Sequence, residues 1–284
     1  MIPTIAQNFD WNLRSESYWM SHWSTPVSFS IIYLLFVLYA NANIQSKLRD
    51  KVSLWCRNSA IFRLFSIIHN AFLILFSAFI FLGVLYDSSN YIKQKGIHYI
   101  FCPPLAKENE IIKGRVYFWS YLYYCSKYYE LIDTLLIALK GKRIIPLHAY
   151  HHLIMLPTMW LCFNGNLIAS LFGLSILNSF VHIVMYTFYF CSVLNIPWST
   201  YWKRWITKIQ IMQFVIGAIG GSCFLFVYIQ HPSITTMTFE KGCAGDSSSI
   251  VLTFLVNVSF LVLFTRFFQN KYTKKTTRTT MKQK

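Results

Sequence analysis

The sequence predicts an all-α, polytopic membrane protein with seven transmembrane helices. Hydrophobic residues make up 55% of the 284 residues, and charged residues only 13%, about half the charged fraction of a soluble domain. The apolar residues form seven long runs, and the basic residues cluster between alternate runs and at the end of the chain. Cytosolic loops of membrane proteins carry excess Lys and Arg, so these clusters predict the direction of each span. They also account for the formal charge of +16, and we expect no nucleic-acid partner.

The seven runs divide the chain into three parts. Residues 1–27 form a lumenal N-terminal segment, residues 28–268 the seven-helix domain, and residues 269–284 a basic cytosolic tail. In chain order the predicted spans are 28–43, 59–86, 117–139, 145–163, 167–194, 206–230 and 250–268. Residues 87–114 are predicted to be a polar lumenal loop. Pro157 lies inside the fourth span and should kink or loosen it.

Two features leave alternatives open. Gly217 and Gly221 stand four residues apart, which permits a close helix contact or marks a flexible glycine patch. The basic tail is either a solvated run of charge or a segment that attracts anionic lipid.

Polar side chains occur in four of the spans, all in the half that faces the cytosol. They share one face of each helix, because residues three and four apart are helix neighbours. Polar faces in lipid turn inward or towards water, so the four faces should line one wet cavity open to the cytosol. The residues are Lys127, Glu130, Asp133 and Thr134; His148, His151 and His152; Asn178, His182, Tyr186 and Tyr189; Thr207, Gln210 and Gln213.

Some of these residues have a simpler interpretation. Lys127 and Glu130, three residues apart, could neutralise each other. Asn178, Gln210 and Gln213 could hold helices together by hydrogen bonds rather than contact a substrate. His22, His69, His98 and His231 are assigned no role.

The three histidines of the HxxHH box suggest two chemistries. Membrane di-iron desaturases and hydroxylases use such boxes, but they need about eight histidines, and here only His182 joins the box. We therefore predict no metal and no cofactor. Neutral imidazole can instead act as a nucleophile or a general base. A Cys125 nucleophile is the other option, but no base is assigned to it and it is predicted to pack as a small apolar residue.

The same residues resemble the ELO family of very-long-chain fatty acid elongases, the condensing enzymes of the endoplasmic reticulum. The family's KxxExxDT motif matches Lys127 to Thr134, and its HxxHH box matches His148 to His152. Two further motifs follow in the family's order, at residues 178–189 and 207–213. The resemblance runs from about Trp55 to the tail.

The resemblance implies a reaction. A long-chain acyl-CoA condenses with malonyl-CoA to a 3-ketoacyl-CoA, releasing CO2 and CoA, through an acyl-imidazole on His151. His182 would lie across the cavity, His148 and His152 would orient His151 or move protons, and Glu130 and Asp133 would set imidazole tautomers. Lys127, the basic hinge 140–143, Lys203 and Arg204 would meet CoA phosphates.

The resemblance also implies a setting. Six helices would surround a narrow acyl tunnel closed at its lumenal end, with helix 1 outside them, in the endoplasmic reticulum membrane. Expected partners are membrane lipid and the other enzymes of the elongation cycle, and self-association is left open. A receptor would turn its polar cluster to the other side, and a transporter would show internal repeats, so neither is favoured.

Topology alone predicts one disulfide. Of the seven cysteines, Cys102 and Cys243 fall in predicted lumenal loops, where the compartment is oxidising. We expect them to bond to each other; the alternative is two free thiols.

Overall fold

The computed structural model describes residues 20–97, 114–165, 168–230 and 246–273, and all regular elements within these ranges are helical. The predicted disulfide partners Cys102 and Cys243 lie outside the described residues. In chain order the helices are α1 Ser24–Ala42, α2 Lys47–Asn58, α3 Ala60–Lys95, α4 Arg115–Tyr129, α5 Leu131–Leu139, α6 Pro146–Asn164, α7 Ile168–Val193, α8 Thr200–Gln230 and α9 Ser247–Phe268, which ends in a π-helical turn, Gln269–Thr273.

Several of these helices are long and apolar enough to cross a membrane, which confirms a multi-pass membrane protein whose described residues form helices and no strands. Within the described residues, five helices have the length and mean hydropathy of a membrane span: α1, α3, α7, α8 and α9. The other two predicted spans correspond to α4 with α5 and to α6. They fall short because the first is interrupted at Glu130 and the second carries three histidines, so the prediction of seven spans goes beyond these five.

Contacts between helices close into a ring in the order α3, α7, α8, α9, α6, α4 and back to α3. Within the ring, α4 and α6 also touch α7. Helix α1 lies against α6 and α5, where Tyr33, Val37 and Ala40 bury themselves around Ile144. We call the end of the bundle where α6 begins the box end, and the opposite end the far end.

Helix α3 extends beyond its predicted end. The sequence places a loop from residue 87, but α3 continues to Lys95 and is 36 residues long, about 54 Å. The prediction failed because Asp87, read as a loop residue, is buried and fully paired. Arg115 Nε donates to its Oδ1 (2.7 Å) and Trp119 Nε1 to its Oδ2 (2.6 Å), which ties the far ends of α3 and α4 together.

The predicted third span is two helices rather than one. The break is at Glu130 (φ −61°, ψ −16°), where the Asp133 amide bonds the Glu130 carbonyl three residues back. Such a tightened turn inside a helix often marks a functional position. Here it lies in the middle of the KxxExxDT motif.

Helix α6 continues through Pro157, the residue predicted to kink or loosen it. Proline lacks an N–H, so the carbonyl of Leu153 has no partner within the helix. The Ser30 hydroxyl of α1 donates to that carbonyl instead (3.0 Å). The neighbouring helix therefore satisfies the group that the proline leaves unpaired.

The hinge between α5 and α6 is held from outside by α1 and α2. Asn41 bonds both backbone groups of Ile144, accepting from its N–H and donating to its C=O at 3.0 Å each. Arg49 donates to the carbonyl of Lys142 (3.0 Å). Gly141 has φ +69° and lies so close to Ser53 that a Cβ would meet its Oγ at 2.6 Å. These contacts fix where α6 begins.

The two glycines of α8 mark a close helix contact rather than a flexible patch. A Cβ on Gly217 would overlap the Asn257 amide, and one on Gly221 would meet the Phe254 ring at 2.8 Å. Both partners belong to α9, so the spacing of four allows α8 and α9 to approach each other.

Candidate active site

A cavity of about 1090 Å³ occupies the box end of the bundle. Its wall is built from α2, α3, α5, α6, α7, α8 and α9. Twelve of the predicted site residues line it: Glu130, Asp133, His148, His151, His152, Asn178, His182, Tyr186, Tyr189, Gln210, Gln213 and Lys203. Thr207 lines it as well. The polar faces of separate helices thus meet around one space.

The histidine box occupies the first turns of α6. Pro146 is at the first helical position, where its missing N–H costs nothing. The ring of His152 lies 4.5 Å from that of His148 and 5.3 Å from that of His151, centroid to centroid. The three imidazoles therefore form one contiguous group.

His148 is the member of the box with a hydrogen bond to a neighbouring helix. Its Nε2 lies 2.8 Å from the Thr134 hydroxyl, which is also 3.1 Å from the Tyr33 hydroxyl of α1. Thr134 is completely buried and does not line the cavity. It therefore orients His148 from behind.

His151 is different, because its Nδ1 is buried without a hydrogen-bond partner among the described residues. Its ring packs against Phe260 (5.1 Å) and against His152. A ring nitrogen without a partner on the wall of a cavity keeps its lone pair or its proton available for a ligand.

Lys127, expected to meet CoA phosphates, is not among the residues that line the cavity. It is 2% exposed, and its Nζ donates to Glu130 Oε1 (2.8 Å) and Asn178 Oδ1 (2.9 Å). Its ammonium also lies 4.2 Å from the centre of the Tyr123 ring. The simpler interpretation, mutual neutralisation with Glu130, describes what the structure contains.

Glu130 is only half satisfied. Its Oε1 accepts from Lys127 and from Ser126 Oγ (2.9 Å), and lies 3.4 Å from His182 Nδ1. Its Oε2 is buried with no partner among the described residues. Glu130 is thus the carboxylate that faces a cavity histidine.

Asp133, expected to set an imidazole tautomer, contacts a histidine outside the box. Its Oδ1 lies 2.8 Å from His69 Nε2, and its Oδ2 accepts from the Tyr186 hydroxyl (2.6 Å). Sequence reasoning assigned His69 no role. The position of its imidazole inside an apolar span was the sequence feature that could have indicated a role for His69.

The amide side chains of α7 and α8 mostly bond to protein. Asn178 Oδ1 accepts from Tyr123 (2.7 Å) as well as Lys127, and its Nδ2 donates to Gln213 Oε1 (3.3 Å). Gln210 donates to the Met185 sulfur (3.5 Å). The interpretation as links between helices therefore fits all three amides, even though each also lines the cavity.

Basic side chains line the outer part of the cavity: Arg57, Arg63, Lys140, Lys142, Lys203 and Lys271. Arg204, predicted to join them, instead places its guanidinium over the Tyr272 ring at 5.7 Å. Burial, and then the charge of Lys142, lower the pKa of Lys140. We call these six residues the basic mouth.

His, Asp and Glu side chains occur in metal sites and in metal-free sites alike, so their arrangement matters more than their presence. Within the described ranges, no three His, Cys, Asp or Glu side chains stand together in a way that could hold a metal ion. Metal-free chemistry remains a prediction for direct measurement.

The family model described as ELO: GNS1/SUR4 family matches residues 18–280. This chain belongs to the ELO family. Fatty acid elongase sre1 of Dictyostelium discoideum is 31% identical over 265 residues, covering 93% of this chain and 89% of that protein. Fatty acid elongase A of the same organism is 35% identical over 214 residues, 74% of this chain and 73% of its own.

Human very long chain fatty acid elongase 6 is 26% identical over 267 residues, covering 92% of this chain and 90% of the human protein. No solved structure matches the chain significantly. The ELO match extends over both the ring of helices and the cavity.

Proposed function

We propose that this protein is the condensing enzyme of fatty acid elongation, joining a long-chain acyl-CoA to malonyl-CoA. The observation that carries the proposal is His151, a histidine that lines a cavity edged by basic residues and has a buried ring nitrogen without a partner among the described residues. Family membership and the names of its relatives agree with it.

The basic mouth suits the proposed substrates. Coenzyme A carries several phosphate charges, and Lys and Arg bind phosphate through charge-assisted hydrogen bonds. The carboxylates in the lining, Glu130 and Asp133, already have partners and do not neutralise the mouth. An anionic head group therefore has cations to meet where it enters that form no ion pair with a carboxylate among the described residues, while the thioester extends inward towards the histidines.

The reaction proceeds in two halves. In the first, a neutral His151 nitrogen attacks the acyl thioester carbon, the C–S bond breaks, and CoA leaves as its thiol after taking up a proton. In the second, malonyl-CoA loses CO2, and the resulting carbanion attacks the acyl-imidazole carbon. The C–N bond breaks and the leaving imidazole nitrogen takes up a proton, which replaces the one that left with CoA, so 3-ketoacyl-CoA forms and neutral His151 is regenerated.

The neighbouring histidines have supporting roles in this scheme. His182 is held through Nδ1 by Glu130, which leaves its Nε2 for the substrate. His148 is fixed by Thr134, and it contacts His152, which contacts His151. This order provides a path for the proton that the first half requires.

We further propose that α4 with α5 and α6 complete seven spans, in the endoplasmic reticulum membrane. The basic mouth then faces the cytosol, with the N-terminus lumenal and the C-terminus cytosolic. This direction follows the excess of Lys and Arg at the box end.

Purified protein incubated with labelled malonyl-CoA and a panel of acyl-CoAs tests the proposal. We expect 3-keto products two carbons longer than each accepted acyl chain, with activity retained after exhaustive chelation. No chain extension with any acyl-CoA would contradict the proposal. A stoichiometric iron or zinc required for turnover would instead favour desaturase-like or hydroxylase-like chemistry.

A further inference from the structure

We propose that His69, on α3, is a positioning residue for the proposed condensation: it holds the Asp133 carboxylate, which holds Tyr186 beside His182. This inference rests on the proposed function. It assigns a role to α3, a helix that carries none of the four motifs.

The hydrogen bonds of His69 define its tautomer. A carboxylate only accepts, so His69 Nε2 carries the proton that it donates to Asp133 Oδ1 at 2.8 Å. The Tyr129 hydroxyl lies 3.3 Å from Nδ1 and can donate to it. Both nitrogens of the ring are therefore engaged.

The His69 ring is also held by stacking. It lies nearly parallel to Tyr129 (5.3 Å, 26°) and to Phe65 (6.2 Å, 21°). The side chain is fully buried and does not line the cavity. His69 therefore acts on the site through Asp133 rather than by touching a ligand.

Asp133 transmits this constraint to α7. Its second oxygen accepts from Tyr186 (2.6 Å), whose ring stands edge-on to His182 at 5.3 Å. His182 Nδ1 in turn lies 3.4 Å from Glu130. Removing His69 leaves Asp133 Oδ1 without its partner, so the carboxylate can turn towards the cavity and release Tyr186.

The test is a set of variants assayed for kcat and for KM of acyl-CoA: His69→Phe, His69→Gln, Asp133→Asn, and His69→Phe combined with Asp133→Asn. Phe keeps a stacked ring without donors, and Gln keeps a donor for Asp133. We expect His69→Phe to lower kcat about 10- to 100-fold with KM within about threefold of wild type, because only placement is lost. His69→Gln should recover most of kcat.

The double variant distinguishes positioning from a general structural role. If His69 acts through Asp133, the combined variant is no slower than Asp133→Asn alone, because contacting residues are not additive. His22→Phe, a change at an exposed histidine, is the matched control and should behave as wild type.

Three results would overturn the inference: wild-type kcat in His69→Phe, an equal loss from His69→Phe with and without Asp133→Asn, or a rise in KM that accounts for the whole effect. If His69→Phe does not fold, His69→Gln decides, and a tenfold loss of kcat in a folded Gln variant would count against it. An inactive wild type would overturn the proposed function and this role together, whereas an active wild type with unaffected variants overturns this role alone.

Discussion

Two buried carboxylates, one at each end of the bundle, show how the same kind of group serves different purposes. At the far end, Asp87 has both oxygens satisfied, by Arg115 and Trp119. At the box end, Glu130 gathers Lys127, Ser126 and His182 around one oxygen and leaves the other without a partner among the described residues.

The cations of the two pairs also differ. The Arg115 side chain is 30% exposed and can turn to water, whereas Lys127 is 2% exposed and depends on Glu130 and Asn178. Asp87 is therefore a structural link between α3 and α4. Glu130 belongs to a group of charged and polar side chains beside the cavity, and its unsatisfied oxygen is left for the ligand that we propose.

The largest effect is expected at His151. His151→Ala removes the proposed nucleophile and should lower condensation at least about 1000-fold, while the thermal unfolding temperature changes little. The assay is product formation from labelled malonyl-CoA. His22→Ala is the matched control, and substantial turnover in His151→Ala would contradict the proposed mechanism.

The second prediction separates the two carboxylates directly. Glu130→Gln leaves the Lys127 charge buried without its partner and should cost about 3–5 kcal/mol of stability. Asp87→Asn should cost about 1–2 kcal/mol and leave kcat unchanged, because Arg115 can reach water. Both are measured by thermal unfolding in detergent and by turnover.

A neutral pair sharpens this comparison. Glu130→Gln combined with Lys127→Met leaves no unpaired charge, so it should recover most of the stability that Glu130→Gln loses. It should not recover activity, because His182 still lacks its carboxylate. Recovery of both properties would mean that Glu130, like Asp87, is only a structural link.

Disrupting the close packing of α8 on α9 should reduce stability by a smaller amount. Gly221→Leu drives a side chain into the Phe254 ring and should cost about 1–3 kcal/mol in thermal unfolding. Gly220→Leu is the matched control, since a Cβ there meets nothing within 4 Å. Equal stability of the two variants would show that the two helices are not in close contact.

The smallest effect concerns Asp246, which caps α9 by accepting from the Ser249 amide (2.7 Å). Hydrogen bonds from Ser248 and Ser249 lower the pKa of this carboxyl. A lowered pKa stabilises the fold above the unfolded value of about 3.9, and this contribution is lost as the pH falls through the lower folded value.

Asp246→Asn keeps an acceptor but removes the charge. It should lower the unfolding temperature by about 1–3 °C at pH 7, and the difference should be smaller at pH 3 than at pH 7. A difference that is the same at both pH values would contradict the assignment.

The sequence predicted the apolar helices and the convergence of their polar faces, because both depend on local periodicity. Within the cluster it offered the pair of Lys127 and Glu130, three residues apart, but it could not predict the pairings between helices. Lys127 and Asp133 both belong to the KxxExxDT motif. In the structure, Lys127 points into the protein interior, and Asp133 binds His69, 64 residues earlier in the chain.

The errors have a common physical cause. Asp87 was read as a loop residue because a carboxylate in an apolar run is costly, but Arg115 and Trp119 offset that cost through contacts across the bundle. The position of such partners depends on how helices pack, and helical spacing contains no information on it. The same is true of Ser30, which satisfies the carbonyl freed by Pro157.

Trapping the acyl group tests the central claim most directly. Protein incubated with a long-chain acyl-CoA without malonyl-CoA is quenched, digested and mapped by mass spectrometry. The account predicts one acyl group on the peptide that contains His151, absent from His151→Ala and discharged when malonyl-CoA is added before quenching. An acyl group on another residue, or steady turnover with no acylated peptide under conditions that preserve acyl-imidazoles, would contradict it.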